Sequence, residues 1–175
     1  MDITELYIKN GYVTSGAFLP NNQNLTDGVV LIQVVEGEIE KIELAGLTRL
    51  QPGYVRSRLK KAASTPLNQK RLEEALQLLQ LDPLIQRVNA ELSAGSTSGR
   101  NILQVKITEA PAFHGGVFTA NNQSPSIGSM QAGVFLVHDN LLGFGDRLAT
   151  EYGTSKRVVS FGLSVKFKFI SLASQ

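Results

Sequence analysis

The sequence predicts an α+β fold centred on one strand–helix–helix–strand–strand unit over residues 37–110. Two observations support this prediction. Apolar and polar residues alternate with a period of two at the C-terminal end of the unit, and apolar residues recur with a helical period in its middle. A half-buried sheet and an amphipathic helix each need the other to cover an apolar face, which is the logic of a two-layer domain.

The first half of the unit is a strand at residues 38–44, followed by helices predicted near Pro52–Ala62 and Pro66–Gln80. The second helix has Thr65 as a candidate N-cap and Pro66 at its first position. Its apolar side chains fall on one face. They are Leu67, Leu72, Ala75, Leu76 and Leu79.

Two alternating strands, Arg87–Leu92 and Asn101–Thr108, close the unit. Residues 93–99 between them are rich in glycine, serine and threonine, so a hairpin is predicted. In the first strand, Arg87, Asn89 and Glu91 are the polar set that faces outward.

The residues before this unit repeat its second half. Residues 2–10 have the pattern of a helix that stops at Gly11, and strands are predicted at Tyr12–Phe18 and Val29–Val35. The second of these is apolar nearly throughout, which predicts burial on both faces. We therefore interpret residues 1–36 as a partial copy of the fold with an open sheet edge.

After Pro111 the helical period disappears. Strands are predicted at Gly116–Asn121, Ser129–Val137 and Asp146–Tyr152, between clusters of Asn, Gly, Ser and Pro. The last of them carries polar residues on one side and apolar residues on the other, as the wall of a membrane barrel does. A soluble β-meander is the alternative.

A closed barrel is not expected from this chain alone. Residues 111–175 can supply about four spanning strands, whereas the smallest barrels need about eight. An open sheet leaves backbone groups unpaired in lipid.

Composition narrows the functional classes. The chain has 175 residues, of which 42% are hydrophobic and 18% charged, and this excludes a disordered chain. The formal net charge of +2 gives no reason to expect nucleic acid. No cysteine is present, which excludes a thiolate nucleophile and cysteine-ligated metals. Residues 1–5 are not a signal peptide, so we expect a cytoplasmic chain or one whose true beginning is missing.

No catalytic constellation is visible in the sequence. His114 and His138 have no partner at metal-ligand spacing. His138 beside Asp139 could be a general base with its orienting carboxylate, but a polar turn is the simpler interpretation. We predict no enzyme activity, no catalytic residue, no metal, no cofactor and no small-molecule substrate.

Several segments together resemble a known family. The segments Gly11–Ser15, Phe18–Pro20 and Asp27–Gly37 look like the end of a polypeptide-transport-associated (POTRA) domain. Residues 38–109 look like the next POTRA domain, through Pro66–Asn68, Arg71–Leu76 and Asp82–Ile85. Ala120–Asn122, Gly128, Gly133 and Asp139–Asp146 resemble the first strands of a barrel. The order is that of the ShlB, FhaC and HecB haemolysin secretion/activation proteins, the outer-membrane transporters of two-partner secretion.

The resemblance covers residues 3–155 and implies a domain division. Residues 1–36 would be the C-terminal half of a first POTRA domain and 37–110 a complete second one. Residues 111–155 would be the first strands of a truncated transmembrane β-barrel, so the chain is interpreted as a fragment. Residues 156–175 are an atypical basic tail that departs from the family. We expect that tail to be unrelated sequence from a truncated or shifted reading frame.

The resemblance also implies a function. The POTRA part would lie in the periplasm of a Gram-negative-type bacterium and dock the unfolded exoprotein or haemolysin that the outer-membrane transporter secretes. The client would add as a strand to the edge formed by Arg87–Leu92, beside a helix groove. The predicted site is Arg87, Asn89 and Glu91 on the edge, with Leu72, Leu76 and Leu79 on the helix; ordinary strand surface and core are the alternatives.

Two other functions stay open. The chain could be a non-functional truncated remnant, or a POTRA module of the wider outer-membrane protein assembly superfamily, whose client would be a nascent barrel protein.

Overall fold

The computed structural model describes residues 2–21, 23, 28–121, 130–155 and 158–167. Three helices are formed in these residues: α1 (Ile3–Lys9), α2 (Pro52–Lys60) and α3 (Gln69–Gln80). The strands are β1 (Gly16–Phe18), β2 (Gln33–Val35), β3 (Glu38–Ala45), β4 (Ile85–Ala94), β5 (Arg100–Glu109), β6 (Phe113–Ala120), β7 (Gln131–Asp139), β8 (Arg147–Ser155) and β9 (Val159–Lys166). None of the described helices has the length and apolar character needed to cross a membrane.

The chain forms two compact units. The first consists of Met1–Leu47 with Val55–Thr108, and the second of Thr48–Tyr54 with Glu109–Gln175.

A three-stranded sheet with the order β3-β5-β4 is the centre of the first unit. β3 runs parallel to β5, and β4 and β5 form the predicted hairpin, whose turn is closed by the Gly95 amide donating to the Arg100 carbonyl at 2.8 Å. The central strand provides three deeply buried side chains, Leu103, Val105 and Ile107, each 1% exposed. The predicted strands 38–44, 87–92 and 101–108 are therefore confirmed.

The helices of the structure confirm the predicted helical layer, but the start of the second predicted helix is corrected. Leu72 and Leu79 of α3 are buried as expected. The start predicted at Pro66, with Thr65 as N-cap, is three residues too early, because Asn68 caps the helix. Its Oδ1 accepts from the Arg71 amide at 3.3 Å.

The N-terminal residues form α1 and a two-stranded antiparallel sheet of β1 and β2. Gly11 follows α1 with φ +87°, which confirms the predicted stop. The prediction of a buried strand over Val29–Val35 is wrong. Only its last three residues pair, and residues 29–32 are 51–65% exposed. In the described residues this sheet pairs only Gly16–Phe18 with Gln33–Val35, so most of the apolar run lies outside it.

The second unit contains a four-stranded antiparallel sheet with the order β6-β7-β8-β9. The three strands predicted after Pro111 are found, with shifted ends. Two of them, β6 and β8, extend further than predicted. Residues 159–166 of the tail form β9, which pairs with β8 along its length; the origin of the tail in a truncated or shifted reading frame stays a prediction.

The two faces of this sheet differ in polarity. Cross-strand neighbours on one face are the apolar Val117, Val134, Tyr152 and Phe161, which are 82%, 47%, 47% and 72% exposed. The next row on the other face is Phe118, Gly133, Gly153 and Ser160. The apolar row therefore continues across all four strands.

Candidate functional site

An apolar groove lies between α3 and the edge strand β4. β4 is an outer strand of its sheet, and α3 packs against it. The groove has a volume of about 350 Å³. Its apolar lining includes Leu67, Leu72, Leu76, Ala90, Leu92 and Leu103.

The groove exists because α3 covers only part of β4. Ile85, at the start of the strand, is 5% exposed. Further along the strand, Ala90 is exposed and Leu92 is 37% exposed, although both occupy the alternation positions that the sequence assigns to the interior. Burial of these two side chains was therefore predicted wrongly. They form an uncovered apolar surface beside an edge strand.

The predicted helix positions divide between groove and core. Leu72 and Leu76 line the groove. Leu79 is 1% exposed and belongs to the core, and it does not line the groove.

The predicted strand positions Arg87, Asn89 and Glu91 are all exposed. Glu91 borders the groove and also a more polar depression on the sheet, which Asn89 borders as well. Arg87 borders neither. Ala90 and Leu92 were not predicted as site residues, although the same alternation identifies them as the apolar neighbours of Glu91.

One side chain of α3 contacts the backbone of the edge strand. Gln80, the last residue of the helix, accepts through Oε1 from the Val88 amide at 2.7 Å. Its Nε2 donates to the Gln86 carbonyl at 3.0 Å. Local sequence patterns give no signal for this contact.

The opposite edge of the sheet, β3, is irregular and charged. Its register against β5 shifts between Ile39 and Lys41. Glu40, at the shift, accepts from the Ser96 amide at 3.0 Å and from its hydroxyl at 2.9 Å. These hydrogen bonds, the backbone one above all, lower the pKa of Glu40 below its usual value. A bulge and fixed charge both discourage pairing with another strand.

The polar turn predicted at His138 and Asp139 is wrong. His138 and Asp139 lie in β7 and not in a turn. Asp139 contacts His114 at 3.3 Å and Arg147 at 3.6 Å. Across the described residues, no group of three His, Asp or Glu side chains could hold a metal ion.

Comparison with known proteins gives consistent matches. Residues 1–37 match the family model described as "POTRA domain, ShlB-type". The outer membrane transporter CdiB of Dickeya dadantii (strain 3937) is 31% identical over 156 residues, which cover 89% of this chain and 27% of that protein. The outer membrane transporter CdiB of Escherichia coli is 29% identical over 161 residues. The chain thus spans about a quarter of the length of these relatives.

Solved structures show the same relationship. CdiB from Escherichia coli superposes with a TM-score of 0.55 at 30% identity, over 86% of this chain and 28% of that one. BamA from Haemophilus ducreyi, lacking POTRA domains 1–3, gives a TM-score of 0.62 over 94% of this chain and 34% of that one; at 17% identity it shows a likeness of fold alone. The chain is therefore similar to one part of the ShlB/FhaC/HecB type of POTRA-bearing outer-membrane transporters, with a POTRA-type α+β fold followed by antiparallel strands like the first ones of the barrel.

Proposed function

We propose that this chain is the periplasmic polypeptide-docking part, with the start of the barrel, of an outer-membrane transporter that secretes a large exoprotein by two-partner secretion. An extended segment of the client adds as a strand to β4. The observation that carries the proposal is the apolar groove beside an edge strand whose Ala90 and Leu92 are left uncovered.

An edge strand and a groove recognise different parts of an unfolded client. The edge offers backbone amides and carbonyls, which pair with an extended chain almost regardless of its sequence. The groove then receives every second side chain of that chain. Leu72 and Leu76 form its helix side, so it selects apolar side chains at alternate positions. This combination suits a transporter that must accept an unfolded substrate.

Of the two sheet edges, β4 is the better docking edge. The register shift at Glu40 and the exposed ion pair of Lys41 with Glu43 at 2.8 Å oppose a continuous ladder on β3. β4 carries the exposed polar side chains Arg87, Asn89 and Glu91, which we propose face the client's own polar positions.

The proposal retains the domain division 1–36, 37–110 and 111–155, with one amendment. Since β9 pairs with β8, residues 159–166 belong with the barrel strands and not with a separate tail.

The test is a titration of the whole 175-residue chain, in a mild non-ionic detergent, with the N-terminal secretion segment of an exoprotein encoded beside it. Leu76→Asp places a charge in the groove, and we expect it to weaken binding at least tenfold. Leu78→Asp is the matched control, because Leu78 lies on the same helix, is 70% exposed and does not line the groove. Amide exchange in β5 checks that both variants fold.

Equal binding by the two variants would exclude the groove as the client site. Absence of binding to the unsubstituted chain at millimolar client would overturn docking altogether, and would favour the non-functional remnant.

A further inference from the structure

Near the start of β4, two backbone groups already form hydrogen bonds with a side chain of α3. Gln80 bonds the Val88 amide and the Gln86 carbonyl through the two ends of its side-chain amide. In a strand, the amide and carbonyl of one residue point the same way and those of the next residue point the opposite way. Gln86 and Val88 therefore show which residues of β4 direct their backbone groups away from the sheet.

The same alternation identifies the outward backbone groups that remain. After Gln86 and Val88, the next residues whose amide and carbonyl point outward are Ala90 and Leu92. These are also the two strand residues whose side chains leave the groove apolar and open. The free backbone and the uncovered side chains thus coincide on one half of the strand.

The Gln80 amide imitates one residue of a neighbouring strand. It donates to the carbonyl of one residue and accepts from the amide two residues later, as a residue of a parallel partner strand does. An incoming chain must displace this side chain to pair with Gln86 and Val88. It meets no such obstacle at Ala90.

We propose that Gln80 sets the boundary of strand addition on β4, so that a client pairs from Ala90 towards Ala94 and not with Gln86–Val88. This inference rests on the proposed docking function and adds the residue that fixes where on the edge docking begins. Gln80 is a positioning residue: it sets the register of the client without contacting the groove.

The experiment measures amide exchange at single-residue resolution on the whole chain in mild detergent. The probe is an eight-residue peptide in which valine alternates with threonine, with a lysine added at each end. In the unsubstituted chain, we expect the peptide to slow exchange at Ala90 and Leu92 and to leave Val88 unchanged. In Gln80→Ala without peptide, the Val88 amide should exchange about tenfold faster, because it loses its acceptor. With peptide, protection should then extend to Val88.

Gln77→Ala is the matched control, since Gln77 is an exposed glutamine one turn earlier on the same helix, and it should behave as the unsubstituted chain does. Protection that stays confined to Ala90 and Leu92 in Gln80→Ala, or that already includes Val88 in the unsubstituted chain, overturns the boundary role while leaving docking intact. If the peptide protects no β4 amide in any variant, docking itself is refuted and the boundary role with it.

Discussion

Replacing Glu109 with glutamine should release residues 48–50. Glu109 ends β5, and its side chain is 5% exposed. Oε1 accepts from the amides of Thr48, Leu50 and Arg49 at 2.7, 2.9 and 3.0 Å. Oε2 accepts from the Thr48 hydroxyl at 2.9 Å and lies 3.3 Å from Nε of Arg49. One carboxylate therefore satisfies three consecutive backbone donors.

The free energy lost in Glu109→Gln depends on pH, because the pKa of Glu109 is shifted in the folded chain. Burial alone would raise that pKa, but the amides of Leu50, Thr48 and Arg49 together lower it below its usual value. The stabilisation is therefore complete above the unfolded pKa of about 4.3 and is lost as the pH falls through the lowered folded value. Hydrogen bonds to a charged group contribute about 1.5–3 kcal/mol each. Since the amide oxygen of glutamine keeps some of them, we expect Glu109→Gln to cost about 2–4 kcal/mol at pH 7.

The assay is amide exchange at Thr48 and Leu50 on the whole chain, corrected for the intrinsic exchange rate. A loss of 2 kcal/mol corresponds to about 30-fold faster exchange through local opening. Glu43→Gln makes the same chemical change at an exposed ion pair with Lys41 and should alter neighbouring amides by about 1 kcal/mol at most. The reasoning is refuted if the two substitutions have similar small effects, or if the exchange of Glu109→Gln keeps the pH dependence of the unsubstituted chain between about pH 5 and 3.

Three further substitutions test the first unit by denaturant titration. Leu79→Ala should lower the free energy of unfolding by about 2–5 kcal/mol because it empties a buried site, whereas Leu78→Ala, at an exposed position of the same helix, should cost under about 0.5 kcal/mol; equal losses would contradict the placement of Leu79 in the core. Asn68→Ala should cost about 1 kcal/mol as α3 loses its cap, and no loss would mean that the cap contributes nothing. Gly46→Ala should cost over about 1 kcal/mol, since φ is +81° and the new Cβ would meet the Ile107 carbonyl oxygen; an unchanged midpoint would exclude this clash.

The central unit was predictable because both of its layers carry a full periodic signal. β5 alternates without interruption from Leu103 to Thr108, and α3 has an apolar stripe on one side. The start of α3 was not predictable, because Pro66 and Asn68 both carry valid helix-start chemistry. Contacts from distant residues accompany the start at Asn68: its Nδ2 donates to the Asn10 carbonyl at 3.1 Å, and the Gln69 amide donates to the Gly11 carbonyl at 2.8 Å. These partners lie nearly sixty residues apart in the sequence, so no local sequence pattern indicates the contacts.

The site was predictable in its location but not in its detail. Alternation identified β4 and helical period identified the helix face. Leu76 and Leu79 lie on that same face, yet Leu76 lines the groove while Leu79 is buried in the core. The prediction of a buried strand over Val29–Val35 was wrong because it rested on apolar composition alone. A run without alternation states that its residues are apolar, but not that anything covers them.

The register of the second sheet carries more information than any of its strands alone. A single strand with alternating polarity fits a soluble meander as well as a barrel wall. Here Val117, Val134, Tyr152 and Phe161 align across four strands, and all four remain exposed on one face. A soluble sheet would cover such a row or make it polar, whereas a barrel wall presents it to lipid. Phe161 extends this row beyond residue 155, where the resemblance to the family ends.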